Sequence, residues 1–138
     1  MPREFLLTRR VHFYETDAAG IVHFSSFFRY MEEAEHALWR AAGLSIHRPG
    51  SDIGWPRVSA AFDYQRPLRF EEEFEVRVRV VSIGRRTISY ECVVTRGDEV
   101  IARGTLLIAC VRRRPGVPFE LIDIPADVRE RLSADEAS

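Results

Sequence analysis

Apolar and polar positions follow two clear rhythms along the chain. Residues 5–14 carry Phe5, Leu6, Leu7, Val11 and Phe13 and predict a first strand. From Phe27 the spacing is helical: Phe27, Met31, Ala34, Leu38 and Ala41 or Ala42 recur at i, i+4, i+7 and i+11 along one face. Arg29, Glu32, Glu33, His36 and Arg40 gather opposite them, while Tyr30, Ala37 and Trp39 widen the apolar arc beyond one stripe. Such a helix expects cover on more than one side. Ser25 or Ser26 predicts its N-cap, and Gly43 its C-terminal stop.

Beyond Arg57 the period becomes two. Glu73 through Val80 alternates charged and apolar residues without a break, so Phe74, Val76, Val78 and Val80 should face a core. Ile88, Tyr90, Cys92 and Val94 repeat the pattern, as do Leu106, Ile108 and Cys110. Turn signals at Ser82–Arg85 and Arg96–Glu99 separate these runs, and Pro67 is read as ending the run begun near Arg57. Short connections between the strands predict an antiparallel meander. Residues 44–56 are rich in Gly, Pro and Ser and long enough for a lid or pocket wall. Ile124–Leu132 reads as a short helix with Pro near its first turn, and the residues after it are expected to fray.

The elements sum to an α+β domain in which a curved antiparallel sheet of about five strands wraps one long central helix, followed by a short C-terminal helix. The division is 1–124 for the main domain and 125–138 for the short helix and tail. Such a sheet leaves an open edge, and pairing through an edge strand makes a homo-oligomer the expected state.

Composition narrows the class. With 46% hydrophobic and 30% charged residues in 138, the chain suits one globular domain. The net charge of −1 gives no general attraction to nucleic acid or to an anionic membrane. Every basic residue apart from the histidines is Arg, and Lys and Asn are absent, a bias against A-rich codons. Cys92 and Cys110 lie in strand-like runs without Cys-x-x-Cys spacing, so they read as buried thiols of a reducing compartment. Neither a signal-peptide pattern nor a membrane-length apolar run is read, which makes the cytoplasm the expected location.

The candidate chemistry sits between the first strand and the long helix. Thr16-Asp17-Ala18-Ala19-Gly20 is a turn in which Asp can bond the backbone ahead and Gly can adopt positive φ. From spacing alone, Asp17 is more often a turn former than a catalyst. A carboxylate beside a helix N-terminus, flanked by Ile21, Val22 and Phe24, is nonetheless a plausible reactive group.

Tyr14-Glu-Thr-Asp-Ala-Ala-Gly-Ile-Val-His-Phe-Ser-Ser-Phe-Phe-Arg-Tyr-Met-Glu32 resembles the opening motif of the 4-hydroxybenzoyl-CoA thioesterase family, hotdog-fold acyl-CoA thioesterases with a YbgC-like branch. The resemblance runs more loosely through Asp63–Pro67 and the later strands. It implies a hotdog fold and hydrolysis of an acyl or aroyl thioester, with coenzyme A as part of the substrate and no separate cofactor or metal. It implies Asp17 as nucleophile or general base and the backbone N–H of Phe24 as oxyanion donor. Gly20, His23 and Ser25 are expected at the substrate, although the branch carries His at the Phe24 position and here His stands one earlier. Arg85 and Arg86 are the expected coenzyme A phosphate contacts, with Arg112–Arg114 a second candidate cluster. A homodimer or a dimer of dimers is implied. The alternatives are a thioesterase acting on acyl-carrier protein and a hotdog domain that binds acyl thioesters without turnover.

Other groups carry less. Glu35 falls on the apolar side of the helix, where it would be a second site acid or, the favoured reading, pair with an Arg across a dimer interface. Glu33-Ala-Glu-His36 has di-metal spacing but no second copy. His12 and His47 read as structural or exposed, and Ser25 as an N-cap because no Gly-x-Ser-x-Gly surrounds it.

Overall fold

The computed structural model describes residues 3–133. In chain order these form β1 (Glu4–Arg10), a 3-10 turn (Phe13–Glu15), α1 (Ser26–Ala41), β2 (Ile53–Gly54), β3 (Arg57–Tyr64), β4 (Glu73–Ile83), β5 (Thr87–Arg96), β6 (Glu99–Ala109), β7 (Val111–Arg112), β8 (Glu120–Leu121) and α2 (Ala126–Ser133). A five-stranded antiparallel sheet in the order β1-β4-β5-β6-β3 packs on α1, with a small sheet, β2-β7-β8, beside it. This is the expected hotdog arrangement.

The alternating residues land as their period requires. Phe74, Val76, Val78 and Val80 of β4 and Ile88, Tyr90, Cys92 and Val94 of β5 are all buried against the helix. From α1, Phe27, Tyr30, Met31, Ala34, Leu38 and Trp39 enter the same core. The helix ends in a Schellman motif: the Leu44 N–H donates to the Trp39 carbonyl (2.8 Å) and the Gly43 N–H to that of Arg40 (3.0 Å). Gly43 stands at φ +78°, which a side chain would strain.

Several expectations need correction. The first strand stops at Arg10, not at residue 14, because the chain leaves the sheet for the 3-10 turn; Phe13 and Tyr14 are exposed there. The sheet is not a simple meander. β3 lies at the far edge beside β6, so the link from β3 to β4 crosses the sheet. The β3 strand ends at Tyr64, three residues before Pro67. The 44–56 connection is pinned by β2 pairing with β7 and lines a groove of about 330 Å³ with His36 and Arg113, apart from Asp17.

Ile124, Val128 and Leu132, at and before α2, bury into the main core, so the short helix packs as part of one body. Residues 134–138, expected to fray, lie outside the described residues. Nearly every residue of β3 is exposed, leaving this edge strand bare in the single chain. No described helix is long and apolar enough to cross a membrane.

Candidate active site

After Arg10 the chain is stitched to the turn preceding β4, the Val11 N–H donating to the Glu72 carbonyl at 3.0 Å. It then folds through the 3-10 turn into a tight hairpin whose arms meet at a Thr16–Val22 bridge. Asp17 sits in the hairpin bend. Its N–H donates to the Ile21 carbonyl (2.8 Å), and its own carbonyl accepts the Gly20 N–H (3.0 Å). Gly20 takes φ +80°, so the turn needs the glycine the sequence places there.

The Asp17 carboxylate is half engaged. Oδ1 accepts the Ala19 N–H at 2.8 Å in a local turn, and Oδ2 has no hydrogen-bond partner among the described residues. The turn-forming and reactive readings of this residue are therefore compatible: one oxygen fixes the loop and orients the other.

The hairpin's second arm runs into α1. Its Val22 N–H donates to the Leu68 carbonyl (2.8 Å) and its His23 N–H to the Glu15 carbonyl (2.8 Å). The His23 carbonyl accepts the Ser26 N–H at 2.9 Å. In a trans peptide the N–H points opposite the C=O. The amide of Phe24, which shares that peptide plane, is consequently turned away from the first helical turn, and it donates to no acceptor among the described residues. It is a free donor at the head of α1, where the helix dipole is positive. The Phe24 carbonyl is held by the Tyr64 hydroxyl at 2.9 Å. Partial burial pushes the Tyr64 phenol up, so it stays a protonated donor.

Asp17 and Phe24 line one cavity of about 510 Å³ with Ile21, Val22, Phe27 and Leu68; Tyr64, Gln65, Arg66 and Pro67 complete the wall. The lining is largely apolar and aromatic, with Asp17, Gln65 and Arg66 as its charged or amide groups. The segment Tyr64–Leu68, which brings half of this wall, is not among the expected site residues. The loose resemblance through Asp63–Pro67 and the strand-ending signal of Pro67 are the signals it carries in the sequence.

The other expected residues separate from this pair. Gly20 supports the turn but does not line the cavity. Neither do His23 and Ser25, which bond each other: His23 Nδ1 lies 2.8 Å from Ser25 Oγ and accepts the Ser25 N–H at 3.2 Å. Ser25 holds the N-cap position, yet its hydroxyl is turned to His23 and makes no capping bond. Arg85 and Arg86 follow β4 at the end remote from the site; 11 residues of strand place them roughly 35 Å along the sheet. Both guanidinium groups pair with Asp123, at 2.9 and 3.1 Å. Glu35 pairs within its own chain, not across an interface: Arg57 at the start of β3 reaches it with two nitrogens, at 2.6 and 3.2 Å. Among the described residues no group of three or more His, Cys, Asp or Glu converges on a metal position.

Glu15 was not singled out by any spacing, but it is one of three buried polar residues in the described chain. It accepts from Arg9 (2.8 and 3.0 Å), from the Tyr30 hydroxyl (3.0 Å) and from the His12 N–H (2.8 Å). Burial alone raises its pKa, but these three donors outweigh it and hold the carboxyl below its ordinary value.

The sequence profile of the thioesterase-like superfamily matches residues 11–132. A hypothetical protein from Aquifex aeolicus has a crystal structure that superposes with a TM-score of 0.86 at 32% identity, over 93% of this chain and 98% of that one. A 1,4-dihydroxy-2-naphthoyl-CoA hydrolase of Synechococcus elongatus is 28% identical over 127 residues, covering 87% of this chain and 93% of its own. The crystal structure of a 1,4-dihydroxy-2-naphthoyl-CoA thioesterase from Synechocystis shares the fold, with a TM-score of 0.86 at 19% identity over 94% and 96% of the two chains.

Proposed function

The chain belongs to the thioesterase-like superfamily, and from that premise we propose that it hydrolyses an acyl-CoA thioester, with Asp17 as base or nucleophile and the Phe24 amide as oxyanion donor. The observation that carries the reading is the shared cavity: Asp17, with an unpaired carboxylate oxygen, and Phe24, with an unpaired backbone N–H at the helix head, both line the same largely apolar volume. A thioester carbonyl placed there polarises against the Phe24 N–H as charge develops on its oxygen. One such donor is worth about 3–4 kcal/mol of barrier. Asp17 Oδ2 either takes a proton from the attacking water or attacks the carbonyl carbon itself. In both routes a C–O bond forms, the C–S bond breaks, and the sulfur leaves as thiolate and is then protonated; in the second route water then cleaves the Asp17–acyl anhydride, releasing the free acid and restoring the carboxylate.

The aromatic lining from Phe24, Phe27 and Tyr64 favours an aryl acyl group, as do the substrates named for the naphthoyl-CoA relatives. Arg66 lines the same cavity and, although paired with Glu99 at 3.2 Å, is the cation in that lining that would meet the coenzyme A phosphates. Arg85 and Arg86 serve that role only for a substrate that reaches them from a neighbouring protomer. The bare β3 edge supports a homodimer, alone or paired into a tetramer.

Thiol release from a panel of aroyl- and alkanoyl-CoAs tests the reading, wild type against Asp17→Asn. Asn keeps an oxygen for the Ala19 N–H, so the turn persists and the reactive oxygen alone is changed. A fall of about 10²–10⁴ in kcat is expected. Equal rates would remove Asp17 from the mechanism. Faster release from the same acyl group on a carrier protein would redirect the substrate assignment, and tight binding without turnover would make the domain a binder.

A further inference from the structure

Both working groups of this site depend on backbone that one other residue holds from two sides. The main-chain carbonyl of Glu15 accepts the His23 N–H (2.8 Å), and the Ser26 hydroxyl approaches it at 3.4 Å. These bonds fix the arm that presents the Phe24 amide. The Glu15 carboxylate, on the other side of the same residue, is tied to β1 through Arg9, to the 3-10 turn through the His12 N–H and to α1 through Tyr30. Two residues further on stands Asp17.

The clamp is built to be rigid. Glu15 is 7% exposed and Tyr30 fully buried, so water competes little for the bonds between them. Arg9 also bonds Glu33 of α1 at 2.9 Å, and its guanidinium lies 4.8 Å from the centre of the Tyr30 ring. Burial, then the neighbouring Glu15 charge, push the Tyr30 phenol up, so it remains a donor to that carboxylate throughout the working range. Strand, turn and helix therefore meet at one anion.

We infer that Glu15 is a positioning residue for thioester hydrolysis: its buried carboxylate sets the distance between the Asp17 bend and the Phe24 amide. The inference rests on the Asp17–Phe24 reading above and goes beyond it by naming what holds that pair in register. Glu15 touches no substrate, since it does not line the cavity. Its loss should therefore be felt in the chemical step and hardly at all in binding. Misplacement of a reacting group by about 1 Å can cost on the order of 10²-fold in rate.

The test compares Glu15→Ala, Glu15→Gln and Tyr30→Phe with Asp17→Asn in steady-state hydrolysis of one good aroyl-CoA, alongside the dissociation constant of its non-hydrolysable thioether analogue. The expected result is a graded kcat: wild type above Tyr30→Phe, then Glu15→Gln, then Glu15→Ala, the last down by about 10²-fold. The KM and the analogue's dissociation constant should stay within about threefold, with kcat taken per binding site titrated by the analogue, because unfolded protein lowers apparent kcat at unchanged KM but also lowers the number of those sites. If Glu15→Ala does not fold, Glu15→Gln and Tyr30→Phe decide the matter by the same criterion. Wild-type kcat in the folded Glu15 variants, with Asp17→Asn inactive, overturns the Glu15 role alone. Wild-type kcat in Asp17→Asn overturns the reading of the site and this inference with it.

Discussion

The ion pair between Glu35 and Arg57 offers a quantitative check on how α1 is tied to β3. The Glu35 side chain is fully buried, whereas that of Arg57 keeps 30% of its surface. The pair is bidentate, and Arg57 has a second acid in Glu32 at 3.2 Å, itself half exposed. The two ends are thus unequal. Removing Arg57 leaves a buried carboxylate without its cation, a loss of about 3–5 kcal/mol where both partners are deeply buried. Exposure of Arg57 screens part of that, and about 2–3 kcal/mol is the expected cost of Arg57→Met. Removing the charge of Glu35 is milder, because Arg57 can turn to Glu32 and to water; Glu35→Gln should cost about 1 kcal/mol. The double variant holds no stranded charge and should be more stable than Arg57→Met alone. Urea unfolding of the four proteins gives the cycle directly. Thermal melts should show Arg57→Met lower by roughly 6–12 °C for a domain of this size. Equal costs for the two single variants, or a loss below about 1 kcal/mol for Arg57→Met, would mean that the pair behaves as a surface contact and does not anchor the strand.

Three further outcomes follow from the structure. Because the folded-state pKa of Glu15 is lowered, its stabilising contribution is complete above the ordinary glutamate value and is lost as pH falls through the lower folded one; urea midpoints taken from pH 7 to pH 3 should converge for wild type and Glu15→Gln at the acid end. Burial pushes the Cys92 thiol up to about 12 and the Cys110 thiol to about 11, so a disulfide reagent at pH 8 should find neither in the native protein and both after denaturation. A Cβ added at Gly104 would sit 2.7–2.9 Å from the Phe62 ring directly across the strand pair, and Phe62 leans on Phe27, Phe28 and Tyr64 beside the cavity. Gly104→Ala should therefore cost about 1–3 kcal/mol in urea unfolding, and Phe62→Ala in the same chain should recover part of it.

What the sequence disclosed is what local physics writes into neighbouring residues. The charged-apolar alternation of Glu73–Val80 has one structural solution, and β4 adopts it with Phe74, Val76, Val78 and Val80 all buried. The helix from Ser26 to Ala41 with its glycine stop, and the Asp17–Gly20 turn, are likewise short-range statements. The placement of β3 was not legible in this way. Its residues alternate weakly because both of its faces are exposed in the single chain, so no hydrophobic face declares which neighbour it has. The Glu35 partner failed for a related reason. A buried carboxylate announces that it needs a cation, but 20 arginines give the sequence no means of choosing Arg57.

The site divides along the same line. Asp17 and the free amide at Phe24 belong to one continuous motif and could be read together, while the Tyr64–Leu68 wall of the cavity and the Arg9 that pairs with Glu15 come from elsewhere. Tyr64 reaches the Phe24 carbonyl across 40 positions of sequence, and Arg9 reaches Glu15 from the strand before the turn. The proposed pair can be spelled out locally because the chemistry assigned to it needs particular atoms close together. The distance between those atoms is another matter, since it is fixed by buried contacts whose residue types, an Arg, a Glu and a Tyr, are common everywhere in the chain. Glu15 illustrates the point: in the sequence it is one acid among 21 acidic residues, and burial with three donors is what distinguishes it. Substitution at such a position should therefore lower turnover while leaving Asp17 and Gly20 in place, and a search for active members of the superfamily by the Asp-x-x-Gly signature alone would pass over the loss.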